Sequence, residues 1–309
     1  MRLLDGTSSM SRRIIFVPGM KPKPPPDVHR RELMRCLSAG LARARPESAQ
    51  LLGEASSSLT LISWTYRFYG EYRDIALDLP GIERILRDPD PSAEDIAEIE
   101  SVERKIRRFW HVLGDSLPLF GRLIARPAMR LTMSEARRYL FDEDGVATEI
   151  REMLKTTLVE AWDAGEEVLL IGHSMGSVIA YDTLWELAHE ARDTRVVSLF
   201  MTLGSPLASR LIRENLRGVS RSGRARYPTN IRCWENFAAK AEMTALHPHL
   251  ERYFGEMVEL GILERMADHV TIYNHFRGHI GLNPHMSYGY LMAPEVAATI
   301  ADWLLGATD

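Results

Sequence analysis

The chain has 309 residues, enough to bury a large core as one large α/β domain or two smaller ones. Its hydrophobic share of 45% and charged share of 26% are those of a soluble globular protein and exclude an intrinsically disordered one. A net charge of −4 argues against nucleic acid as the partner, because a phosphate-binding surface carries an excess of Lys and Arg.

Residues 1–13 are polar, and the first apolar run, 14–17, is too short for the core of a secretory signal. No window approaches the 18 or more apolar residues of a membrane-spanning helix, so a soluble, cytoplasmic protein is expected. The two cysteines, Cys36 in a helix-like stretch and Cys233 in a strand-like one, rule out a disulfide framework and read as buried free thiols.

Short apolar, β-branched runs recur along the chain at 13–17, 59–64, 167–171, 195–203, 231–237 and 269–273, each expected to be a strand. Helical patterns fall between and after them at 27–44, 146–164, 174–190 and 294–305. This alternation predicts an α/β fold with a mostly parallel central sheet and helices on both faces. A Pro-rich loop, 21–26, follows the first strand, and an Arg-rich connection, 210–226, follows the fourth.

The interval 66–144 holds no convincing strand and reads as a helical lid or cap inserted into a single domain spanning 1–309. Ile96, Ile99, Val102 and Ile106 recur at helix spacing, with Glu100/Arg104 and Glu103/Arg107 four apart. The first half is acidic. From 104 to 138 the sign reverses, with nine Lys or Arg against Asp115 and Glu135, interleaved with Leu117, Phe120, Leu123, Ile124 and Met129. Two readings stand open: the basic arm folds onto the acidic arm and the main domain, or it presents an amphipathic surface to an anionic lipid interface or acidic substrate.

Gly172-His173-Ser174-Met175-Gly176 follows the third strand and opens a helix. A serine at such a turn is held in a strained conformation with its hydroxyl exposed, and the glycines remove side chains that would collide. The residues 169–180, LLIGHSMGSVIA, resemble the nucleophile elbow of lipase- and esterase-like α/β-hydrolases. Ile15-Phe16-Val17-Pro18-Gly19-Met20 resembles that family's first core strand and oxyanion loop, and Leu203-Gly204-Ser205-Pro206 the strand end after the elbow helix. The resemblance runs from about Arg12 to the C-terminus and leaves out the insertion.

It implies an α/β-hydrolase fold, Ser174 as nucleophile, and an oxyanion hole from the main-chain N–H of Met175 with a second donor at Gly19–Met20. The family's chain order, Ser then acid then His, puts the base after Ser174. Among His247, His249, His269, His275, His279 and His285, the last directly precedes the C-terminal helical segment and is the expected base, with His279 next. Glu242, in the loop after the fifth strand, is the expected acid, and Asp268 the competitor by residue type. Gly204 reads as a plain turn glycine. His247 and His249 have no obvious third metal ligand, and no metal or organic cofactor is expected. The activity implied is hydrolysis of a carboxylic ester, of a small molecule or lipid with a hydrophobic acyl chain, through an acyl-enzyme. Acyl transfer or thioester hydrolysis on the same triad, and a non-catalytic binding role, are the alternatives.

Overall fold

The computed structural model describes residues 11–54, 59–101, 127–242 and 247–307. Six parallel strands, β1 (Arg12–Val17), β2 (Leu59–Leu61), β3 (Glu167–His173), β4 (Val197–Leu203), β5 (Ile231–Ala239) and β6 (Arg265–Ile272), form one sheet in the order β2-β1-β3-β4-β5-β6. The fold class read from the pattern is the one observed: a parallel sheet with helices on both faces, the α/β-hydrolase arrangement.

Alternation along the strands explains the two helical layers. Ile14, Phe16, Leu169 and Ile171 face α1 (Pro26–Ala44), α4 (Leu79–Arg87) and two C-terminal helices, α12 (Ser287–Met292) and α13 (Pro294–Leu305). Their neighbours Ile15, Val17, Val168 and Leu170 face α7 (Val146–Asp163) and α8 (Met175–His189). Proline supplies the first helical position of α13, and Gly306, at φ +72°, closes it in the left-handed conformation.

The strand boundaries differ from the sequence pattern in instructive ways. β2 ends at Leu61, because the chain turns at Trp64 into a short helix, α3 (Thr65–Tyr69). β6 begins at Arg265, so Asp268 and His269 lie within it, opposite Asn236 and Phe237, rather than before it or at its start. Polar residues on an edge strand hide its periodicity. Cys36 is buried and Cys233 only partly so; both are free thiols.

Within 66–144 the described residues hold α4, α5 (Ala93–Ile99) and α6 (Pro127–Leu140). Ser92 and Asp95 form a reciprocal cap at the start of α5. Asp95, 1% exposed, binds Arg84 of α4 and Arg277 near the C-terminal end, tying α5 to the main domain. Glu100 pairs with Lys240. Residues 102–126, which carry most of the basic amphipathic stretch, lie outside the described residues. No helix among the described residues is long and apolar enough to cross a membrane.

Candidate active site

Sheet order places the site. The chain leaves β1 for β2 on one side and returns to β3 on the other, which opens a crevice at the carboxyl ends of β1 and β3. Val17 pairs with Gly172 and His173 with Leu203, so the turns after β1, β3 and β4 leave the sheet side by side.

Ser174 sits between β3 and α8 at φ +53°, ψ −127°, a conformation costing a non-glycine residue about 1–3 kcal/mol. Its surroundings enforce it. The Ser174 N–H donates to Leu203 O at 2.9 Å, and the Ser177 hydroxyl donates to Ser174 O at 2.6 Å. That uses the one Ser177 hydroxyl hydrogen, so Ser205 donates to Ser177 Oγ at 2.7 Å and binds the end of β4 to the elbow. A Cβ on Gly172 would stand 2.5 Å from Ser177 Cα, and one on Gly176 2.7 Å from Pro18 O. Neither position admits a side chain.

Gly19 lies against Ser174: a Cβ there would be 2.7 Å from Ser174 Cβ and 3.2 Å from Oγ. The Gly19–Met20 turn is held from behind, with Trp64 Nε1 donating to Pro18 O and Lys23 Nζ to Met20 O, each at 2.8 Å. Burial pushes Lys23 down to about 8, against the pull of the Asp78 carboxylate. Met175 is the first residue of α8, whose N-terminus carries partial positive charge toward the elbow.

The structure brings His285 and Glu242 together, through Nδ1 of the ring and Oε1 of a carboxylate that is 1% exposed. A carboxylate accepts, so Nδ1 carries the hydrogen and a neutral His285 leaves Nε2 bare, the form a general base needs. The other oxygen of Glu242 accepts from the hydroxyl of Tyr290, which itself accepts the Ala239 N–H at 2.8 Å. Burial and the Glu242 charge raise Tyr290 far above the ordinary phenol range, so it remains a donor. Gly204 is more than a turn: at φ +58° it presses on Glu242, and a Cβ would lie 3.0 Å from the carboxyl carbon.

The His285 loop has its own supports. Asn283 Oδ1 accepts the His285 N–H at 3.2 Å, and the fully buried Asn274 donates to Met286 O at 2.8 Å. His173 Nε2 meets His285 O at 2.7 Å. The sequence does not single out Gly204, Asn274, Tyr290 or His173 as neighbours of Glu242 and His285. Gly204 and His173 lie within the motifs that carry the resemblance, but nothing in a linear pattern marks which residue touches Glu242 or His285.

The competitors stand elsewhere. Asp268 accepts from Asn236 Nδ2 at 2.7 Å and from the N–H groups of Leu250 and Glu251, at the start of a short helix, α10 (Glu251–Phe254). His249 approaches it at 3.9 Å. His269 binds Glu235 and His275 the carbonyl of Asp88. His279 is exposed on the hairpin 277–282, on the wall of a cavity of about 500 Å³ that also touches Lys21, Tyr72, Leu77, Phe276 and Met286. Asn283 and Met286 on its wall belong to the His285 loop, but Ser174, His285 and Glu242 do not line it.

A family model described as lecithin:cholesterol acyltransferase matches residues 147–229, from α7 through the elbow and β4. No curated protein and no solved structure matches the chain. On an α/β-hydrolase fold, then, the protein carries a central segment similar to the lecithin:cholesterol acyltransferase family.

Proposed function

We propose that the protein is a serine hydrolase that cleaves carboxylic esters, with Ser174 as nucleophile, His285 as general base and Glu242 as the acid that orients it. The observation that carries this reading is the strained Ser174 turn together with a His285 ring, 4.7 Å from that of the adjoining His173, whose Nδ1 is engaged by a buried carboxylate. His285 Nε2 takes the proton from Ser174 Oγ as the oxygen bonds to the acyl carbon. The main-chain N–H groups of Met175 and of the Gly19–Met20 turn receive the oxyanion. The C–O bond to the leaving alcohol breaks as His285 returns its proton to that oxygen. Water then attacks the acyl-enzyme by the same route in reverse.

The cavity next to the His285 loop mixes apolar walls, Tyr72, Leu77, Phe276 and Met286, with charged ones, Lys21, Glu71, Arg73, Asp74 and Asp78, which suits a substrate with a hydrophobic and a polar portion. In this reading the start of the insertion, which lends Tyr72 and Leu77 to that cavity, covers part of the substrate. A second reading, acyl transfer to an alcohol in place of water, is favoured by the family that matches 147–229. Both share the acyl-enzyme.

The test is labelling with a fluorophosphonate probe, together with turnover of p-nitrophenyl esters of increasing chain length. Wild type is expected to label and to turn over medium or long acyl esters fastest, and Ser174→Ala to do neither. An inert, unlabelled wild type, or label that survives in Ser174→Ala, refutes the proposal. Added alcohols that divert the acyl group into new esters would favour transfer over hydrolysis.

A further inference from the structure

His173, the last residue of β3, has no part in the proton transfers above, yet it is 4% exposed and its ring centroid lies 4.7 Å from that of His285. Its Nε2 is 2.7 Å from His285 O. A carbonyl oxygen only accepts, so Nε2 holds the hydrogen and donates it. Burial first, and the neighbouring His285 second, push His173 well below the ordinary imidazole range. The ring is therefore neutral and its Nδ1 is a bare acceptor.

That Nδ1 is buried with no hydrogen-bond partner among the described residues. It lies 3.1 Å from the point where a Gly19 Cβ would stand, a point itself 3.2 Å from Ser174 Oγ. A buried acceptor without a donor costs stability, and an apolar ring of similar size would avoid that cost. The half of the imidazole that an apolar ring cannot replace is the Nε2–H.

We infer that His173 is a positioning residue for the general base: its Nε2–H pins the main chain of His285 and so sets where that ring is carried relative to Ser174. The inference rests on the reading of Ser174 and His285 as nucleophile and base. Glu242 fixes the rotation of the His285 ring at Nδ1, but rotation alone does not fix where the ring is carried. Asn283 and Asn274 hold the loop from its own side, and the His173 bond ties it to the residue adjoining the nucleophile, so base and nucleophile are referenced to the same strand end. Neutrality of His173 also spares the imidazolium that forms on His285 a like charge beside it.

Two substitutions separate this role from packing. In His173→Gln the side-chain amide reaches where Nε2 stands, whereas in His173→Asn it reaches only as far as Nδ1. Saturation kinetics on a p-nitrophenyl ester are expected to show His173→Gln within about threefold of wild type in kcat. His173→Asn should lose roughly 10- to 100-fold in kcat with KM little changed, the signature of a displaced base. Urea unfolding first establishes that each variant is folded. Equal kcat in the two variants, high or low, or a loss confined to KM, overturns the inference while a labelled wild type leaves the serine hydrolase standing. A wild type that neither labels nor turns over ester removes both. Independently of any variant, ¹⁵N-histidine NMR of the wild type should show one imidazole held as the neutral Nε2–H tautomer from pH 5 to 8; a titrating or Nδ1–H His173 overturns the inference.

Discussion

Gly204→Ala perturbs Glu242, the proposed acid, without replacing any residue of the proposed triad. A Cβ at this position would stand 3.0 Å from the Glu242 carboxyl carbon. Carbon atoms rest at about 3.5–4.0 Å, so the carboxylate must retreat by roughly 0.5–1 Å. Glu242 is 1% exposed and held on its other side by Tyr290, so it has little room to retreat while keeping its bond to His285. A misplacement of about 1 Å costs on the order of 100-fold in rate, equivalent to about 2.7 kcal/mol. Alanine at φ +58° adds about 1–2 kcal/mol of backbone strain to the folded state. The expected variant is folded, somewhat less stable in urea, and about 100-fold slower on p-nitrophenyl esters. The same substitution made in a Glu242→Ala background should cost no further activity, since the group it displaces is gone. Wild-type kcat in folded Gly204→Ala, or a full additional loss in the double variant, would refute the assignment of Glu242 as the acid.

Tyr290→Phe removes a donor from a buried carboxylate and the acceptor of the Ala239 N–H, and is expected to cost about 2–3 kcal/mol in urea unfolding; unchanged stability would show that neither bond matters. For Asp95→Asn the effect depends on pH. Burial acts to raise this carboxyl, but Arg277, Ser92 and Arg84 outweigh it and hold it below the usual range. A depressed carboxyl stabilises the fold above the unfolded value, about 3.9, and that contribution is lost as pH falls through the folded value. The variant should therefore be about 2 kcal/mol less stable than wild type at pH 7, with the partly exposed arginines discounted. The gap should narrow at pH 3. A gap that is the same at both pH values would mean that the Asp95 charge contributes nothing.

The linear sequence determined the layers and the elbow at Ser174. β-branched runs alternating with helix-length segments leave few arrangements other than a parallel sheet covered on both faces, because each element must bury its apolar side. The elbow was legible for a local reason: the turn at Ser174 needs its glycines within two residues on either side, so its requirement is written contiguously. His285 and Glu242 were legible as candidates by chain order and by their place after strands. Glu242 is the acid expected from sequence; the tertiary structure adds that it meets His285, whereas β6 starts four residues earlier than its apolar run and draws Asp268 into the sheet beside Asn236.

What surrounds the proposed triad was decided by the tertiary structure alone. Gly204 abuts Glu242 from 38 positions away, Tyr290 reaches it from 48 and His173 reaches His285 from 112. Such contacts depend on which strands are neighbours and in what register. A single sequence records the residue types that fill these places, but their pairing appears only when the parallel register carries the ends of β1, β3, β4 and β5 to one crevice.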